Sequence, residues 1–186
     1  LFSSCHPERS EGSVSDASLP KVLPEEVADA FGDLNVYYHS RVCPFSTLSR
    51  DYCLKAYGKA GWGDFDANQV VTGWFFYYDW WRGVPFKVKD KDRGTVRERE
   101  KEHLFRSTAA GDAWKIFPVS DSDGTLTWYA SNDTLPPVVM DQMELWTFIR
   151  KFLDYIAESV RGEDWEQVIL LTEKLRDYQV NTAGDI

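Results

Sequence analysis

The chain has 186 residues, 43% of them hydrophobic and 15% aromatic, which is enough to bury one sizeable core. Its formal net charge of −9 argues against nucleic acid or an anionic membrane surface as a partner, since both attract clustered Lys and Arg. No stretch of the sequence reaches the roughly 18 apolar residues that a membrane span needs.

The ends of the chain differ in composition from its middle. Residues 1–22 are rich in Ser, Glu and Gly, and we expect them to form a disordered extension. A single folded domain is expected over residues 23–181, followed by a short tail at residues 182–186.

The domain is predicted to begin with a short helix at residues 25–31. Pro24 suits the start of a helix, two acidic residues in the first turn favour the positive end of its dipole, and Gly32 ends it. An extended segment is expected at residues 34–38.

Two longer helices are predicted next. One covers residues 44–57, because a proline opens it and Gly58 ends it. The other begins after Asp66, which forms a capping-box pattern with Gln69, and is expected to run to about Trp81.

The segment that follows is highly charged. Residues 86–89 alternate like a short strand. The basic-rich run at residues 87–106 is interleaved with acidic residues, which is typical of a solvated segment. We therefore expect residues 90–112 to form a mobile loop with one helical turn near residues 96–105.

The last third of the chain has the clearest periodicity. Two short strands at residues 114–119 and 125–130 flank an Asp-Gly turn, and two amphipathic helices follow, joined by so short a turn that they should pack antiparallel. Trp146 and Leu175 are expected in their core. The fold class is α+β and helix-dominated, with a small antiparallel β element and a C-terminal helical hairpin.

The most prominent candidate for an interaction surface is an aromatic run. On a continuous helix, residues 74, 77, 78 and 81 share one face and residue 80 lies on another, so some rings should meet solvent or a partner. The alternative is a helix buried on two sides. The candidate residues are Trp74, Tyr77, Tyr78, Trp80 and Trp81.

No catalytic, metal or cofactor residues are predicted. The three histidines stand far apart in sequence and lack metal-ligand spacing, and the three cysteines include no Cys-x-x-Cys pair. Haem ligation is not expected either, because His39 lies in a predicted turn and His103 in a charged loop. Met140 and Met143 belong to a helix whose apolar face should be buried.

Two motifs near the start of the domain resemble a known family. Residues 31–36 follow the pattern Phe-Gly-x-Leu-x-Val, and residues 41–50 follow Arg-x-x-Pro-φ-x-Thr-φ-x-Arg, with φ an apolar residue. Together they resemble the water-soluble region of cytochrome c biogenesis proteins of the CcsA/ResC type, and more closely the fused CcsBA-like forms of the Bacteroidetes. The residues of the pattern are Phe31, Gly32, Arg41, Pro44, Thr47 and Arg50.

The resemblance extends through roughly residues 24–181 and implies a function. The chain would be a periplasmic domain of a membrane protein that exports haem and attaches it to apocytochrome c. The implied partners are the membrane-embedded remainder of its own protein, beyond the tail at residues 182–186, and apocytochrome c. The parent assembly would handle haem and act as the ligase, whereas this domain would be an accessory or docking module.

The resemblance does not transfer a haem site to this chain. The family handles haem with a Trp-rich loop of the WWD kind, and Trp80-Trp81-Arg82 does not match it. The pattern residues are expected to be structural, with Arg41 holding the turn and Arg50 pairing with an acidic side chain. A different class of function remains open: a periplasmic glycan-binding or carbohydrate-active domain that stacks sugars on its Trp and Tyr side chains.

Overall fold

The computed structural model describes residues 19–184, apart from the side chain of Asp90, and has a helix-dominated α+β fold. The helices in this range are α1 Glu25–Gly32, α2 Phe45–Tyr57, α3 Ala67–Phe76, α4 Tyr78–Trp81, α5 Val96–Ala109, α6 Pro137–Met140, α7 Met143–Arg161 and α8 Trp165–Ala183. The strands form antiparallel pairs: β1 Asn35–Tyr38 with β2 Arg41–Pro44, β3 Gly61–Trp62 with β4 Phe65–Asp66, and β5 Phe117–Ser120 with β6 Leu126–Tyr129.

Local capping signals place the first helices where the sequence predicted them. α2 ends at Gly58, which adopts the left-handed conformation with φ of 72°. α3 starts at a complete capping box, in which the Gln69 amide donates to the Asp66 carboxylate at 2.9 Å and the Asp66 amide donates back to the Gln69 side chain at 3.3 Å. These bonds satisfy amides that would otherwise lack partners in the first turn.

α3 is the central element of the fold. It packs against α1, α2 and α5, while α8 packs against α1, α7 and β5. Phe31 of α1, Phe45 of α2 and Trp114 meet in the middle of the core, with ring centroids 4.9 Å apart for Phe45 and Trp114 and 5.9 Å apart for Phe31 and Trp114. Aromatic rings therefore form the centre of the core, and they join the two halves of the chain.

The charged segment differs most from its prediction. Residues 86–89 form no strand; they run beside the end of α2, where the Lys87 amide donates to the Ala56 carbonyl at 2.9 Å. The predicted loop contains the 14-residue helix α5. Only Phe105 and Thr108 of α5 are buried, so its apolar periodicity is weak and packing on α3 decides its structure.

The C-terminal helical hairpin is confirmed. α7 and α8 each have 19 residues and pack against one another. Leu175 is fully buried as expected, whereas Trp146 is only half-buried at the edge of the core. Met143, at the start of α7, is 71% exposed, and Met140 in α6 is 58% exposed. The expectation that these methionines lie on a buried face is wrong, because Met140 ends α6 and Met143 begins α7, and residues 140–144 between and around them are all exposed.

Residues 1–18 of the predicted extension lie outside the described part of the chain, as do residues 185 and 186 of the predicted tail. Within the described part, Pro20 is buried and Val22 packs against the core. At the other end, α8 continues to Ala183.

Candidate functional site

The aromatic run does not lie on one continuous helix. α3 ends at Phe76, Tyr77 has φ of −127° and ψ of 40°, and α4 begins at Tyr78. The prediction of one helix to about Trp81 is therefore wrong at Tyr77. The break changes the direction in which the following rings point, so the face assigned to residues 74, 77, 78 and 81 is not formed.

Two of the predicted surface residues are core residues. Trp74 is fully buried against Tyr57 and Phe105, at centroid distances of 6.1 and 5.5 Å. Trp81 is 1% exposed, and its indole nitrogen donates to the Lys21 carbonyl at 2.8 Å. The break at Tyr77 makes this possible, because it folds α4 back over α3.

The remaining aromatic residues form the candidate surface, which we call the aromatic edge: Tyr77, Tyr78 and Trp80. Trp80 is 52% exposed and Tyr78 is 38% exposed. The Tyr78 ring stacks on Phe105 at 5.2 Å, and the half-buried Tyr77 ring lies 5.5 Å from the Lys21 ammonium group. Trp80 is thus the most exposed ring of the edge and contributes little to the core.

The first residues of the family pattern are structural. Phe31 is buried and packs against Phe76 at 5.5 Å. Gly32 lies where α1 crosses α3, and a Cβ atom there would be 2.5 Å from the Asn68 side-chain nitrogen. That nitrogen donates to the Asp29 carboxylate at 3.1 Å, so a larger residue at position 32 would displace the Asn68 side chain and its hydrogen bond to α1.

The second group of pattern residues surrounds the start of α2. Arg41 lies in β2, directly opposite Tyr38, and Pro44 is the last residue of β2 before α2. Thr47 is half-buried. Arg50 is exposed, and within residues 19–184 it forms no ion pair, so the expected pairing with an acidic side chain is wrong. The neighbouring Asp51 points toward the β1–β2 hairpin and forms an ion pair with Lys55.

Asp51 belongs to a polar cluster that the sequence motifs do not predict. Lys55 lies 2.6 Å from the Asp51 carboxylate and donates to the Tyr38 hydroxyl at 3.0 Å, and this hydroxyl donates to the same carboxylate. The His39 ring stacks on Tyr38 at 3.9 Å. The spacing of Asp51 and Lys55 by four residues was the available sequence signal, but the contact with Tyr38 depends on the hairpin.

The cluster stabilises the ionised form of the Asp51 carboxyl group. Partial burial alone would raise the pKa of Asp51, but hydrogen bonds from Lys55 and Tyr38 and the nearby ammonium group outweigh it and lower the pKa. Burial and the hydrogen bond to Asp51 raise the pKa of Tyr38, which therefore stays a neutral donor. The cluster holds α2 to the β1–β2 hairpin.

The two cysteines in the described part of the chain are buried free thiols. Cys43 and Cys53 form no disulfide, and burial raises the pKa of Cys53 to about 12. A thiol with such a pKa carries almost no thiolate near neutral pH and is a poor nucleophile. Cys5 lies outside the described residues.

Within residues 19–184, no three His, Cys, Asp or Glu side chains converge as a metal site would require. None of the helices there combines the length and the apolar character needed to cross a bilayer.

No protein-family model matches the chain, and no curated protein matches it either. The resemblance to cytochrome c biogenesis proteins therefore rests on its motifs alone.

Proposed function

We propose that this chain is a periplasmic domain of a membrane-bound cytochrome c maturation protein. In this role it is an accessory or docking module with no catalytic residues of its own, and the rest of its protein handles haem. The proposal is supported by the motifs at residues 31–36 and 41–50, which fold into α1, the β1–β2 hairpin and α2 as one packed unit. The partners are the membrane-embedded remainder and apocytochrome c.

The observation that carries the docking role is the exposure of Trp80. A tryptophan that is 52% exposed presents a large apolar surface with a polar nitrogen, a combination enriched at protein interfaces. Tyr77 lies three residues earlier, and the Trp80 amide donates to its carbonyl at 3.0 Å, so the two side chains emerge from one helical turn. An extended segment of apocytochrome c could cover both rings.

The direct test measures the binding of fluorescently labelled, reduced apocytochrome c by anisotropy. We expect Trp80→Ala to weaken binding at least tenfold. Tyr155→Ala is the matched control, because Tyr155 is an aromatic residue of similar exposure, 53%, that belongs to α7 and not to the aromatic edge, and its removal should leave affinity unchanged. Absence of binding, or equal losses in the two variants, would contradict the docking proposal.

A second test uses the full-length protein in cells. Trp80→Ala should lower the amount of cytochrome c that carries covalent haem, while Tyr155→Ala should not. Haem staining after denaturing electrophoresis gives the readout, and equal staining in all three strains counts against the proposal.

The same exposed rings support a second candidate, a glycan-binding domain. Tyr78 and Trp80 are 38% and 52% exposed, and aromatic rings of this kind stack on the apolar faces of sugars. A glycan array distinguishes the two functions. Binding of one glycan class that Trp80→Ala abolishes, without binding of apocytochrome c, would favour this candidate.

A further inference from the structure

The charged run at residues 87–106 includes most of α5 and forms part of a cleft, where a loop was expected. Its first residues follow the end of α2, where the Lys87 amide bonds to the Ala56 carbonyl, and α5 then packs beside α2 and α3. Basic and acidic side chains alternate along the sequence, but the fold brings several of the basic ones together. Lys87, Lys89 and Lys101 of the run and Lys55 of α2 come to lie around one cleft.

The cleft has two adjoining recesses with volumes of about 500 and 210 Å³. They share Lys55, Arg97 and Lys101 along their common rim. The larger recess also has Leu104 and His103 in its wall, and the smaller one has Lys87 and Lys89. The larger volume falls in the range of small-molecule sites, which is roughly 300 to 1,000 Å³.

The charge of this cleft is opposite to that of the whole chain. The chain has 21 Lys and Arg against 30 Asp and Glu, whereas five basic and two acidic side chains line the cleft. Two of the basic side chains are already paired: Arg97 lies 3.6 Å from Asp92, and Lys55 lies 2.6 Å from Asp51, which is outside the cleft. Across the described residues, Lys87, Lys89 and Lys101 have no carboxylate at ion-pair distance, so the cleft carries uncompensated positive charge.

Two of these lysines are held in place by the backbone. The Lys101 ammonium group donates to the Lys87 carbonyl. The aliphatic part of Lys87 lies over Gly58, 3.3 Å from the position that a Cβ atom would take there. Burial lowers the pKa of Lys101; the Asp92 carboxylate opposes this effect, and Lys87, a like charge, adds to it. A nearby anion would reverse that effect, because it stabilises the charged form.

We propose that this cleft binds a small ligand that carries phosphate or carboxylate groups. The anionic groups lie in the smaller recess among Lys87, Lys89 and Lys101, and the remainder of the ligand lies against Leu104 in the larger recess. This site is separate from the aromatic edge and does not depend on the docking role proposed above.

The test is isothermal titration calorimetry of the protein at low ionic strength, with inorganic pyrophosphate and citrate as separate probes. Each probe that binds should do so saturably with one-to-one stoichiometry. We expect Lys101→Ala and Lys89→Glu to weaken binding at least fivefold. A loss of binding in Lys89→Glu would not result from misfolding, because the Lys89 side chain is exposed and its removal breaks no hydrogen bond in the described structure.

Lys174→Glu is the matched control. It causes the same change in net charge as Lys89→Glu, at an exposed position on α8, and should leave affinity within twofold of the unmodified protein. Binding of pyrophosphate alone would support a phosphate ligand, and binding of citrate alone a carboxylate ligand. Failure of both probes to bind saturably, or an equal loss in Lys174→Glu and Lys89→Glu, would overturn the proposal.

Discussion

The side-chain amide of Gln179 pairs with both backbone groups of Asn35, across 144 residues of sequence. It accepts from the Asn35 amide at 2.9 Å and donates to the Asn35 carbonyl at 2.8 Å. The same nitrogen donates to the Ile116 carbonyl at 2.8 Å. Gln179 is 1% exposed, so this one residue of α8 joins β1 to the segment that precedes β5.

Replacing Gln179 should therefore destabilise the whole fold. Gln179→Leu keeps the volume but leaves the Asn35 and Ile116 backbone groups without their partners, at an expected cost of about 3 kcal/mol. Urea denaturation followed by circular dichroism measures the change. Asn181→Leu, an amide-to-leucine change at an exposed position two residues later, should cost less than about 0.5 kcal/mol. Similar losses in both variants would show that the buried amide is not the cause.

The close contact between Gly73 and Trp81 predicts a second stability effect. A Cβ atom at position 73 would lie 2.4 Å from the Trp81 indole nitrogen, which would displace the ring and its hydrogen bond to Lys21. Gly73→Ala should cost about 2 kcal/mol or more in thermal or chemical denaturation. At Gly83 nothing lies within 4 Å of the added atom, so Gly83→Ala should be nearly neutral. A neutral Gly73→Ala would mean that α4 does not pack as described.

The Asp51 cluster predicts a pH-dependent contribution to stability. Because the folded protein lowers the pKa of Asp51, its contribution is present above the unfolded value of about 3.9 and is lost as pH falls through the folded value. Asp51→Asn should destabilise by up to about 1 kcal/mol at neutral pH, since the pair with Lys55 is partly exposed. Below about pH 3 the difference should shrink toward zero.

Urea denaturation of the two proteins over a pH series measures this difference. Asp154→Asn is the control, because it breaks the exposed pair with Lys151 that has no tyrosine partner in the described structure. A difference between Asp51→Asn and the unmodified protein that stays constant from neutral to acidic pH would contradict the described cluster.

The protein should bind haem only weakly. His39 is exposed in the β1–β2 turn, and His103 is exposed in the wall of the cleft among charged side chains, so neither lies in an enclosed apolar slot of the kind that supports axial ligation. Titration with haem should give a gradual, non-saturating change in the Soret band. A saturable one-to-one shift that His39→Ala or His103→Ala removes would overturn this expectation and make the domain a haem chaperone.

The sequence alone determined the elements that depend on neighbouring residues. Asp66 and Gln69 cap α3 through bonds three residues apart, and Gly58 ends α2 because glycine readily adopts positive φ. The apolar spacing of α7 and α8 likewise predicted their hairpin, since each helix presents one stripe that must be buried.

Tertiary structure decided the features that involve distant residues. The break at Tyr77, the burial of Trp81, the helical state of α5 and the role of Gln179 each depend on a partner far away in sequence. The basic cleft follows the same rule, because Lys55 and Lys101 become neighbours only when α5 packs beside α2. Local patterns do not encode these contacts, because their free energy comes from packing and desolvation after the chain has folded.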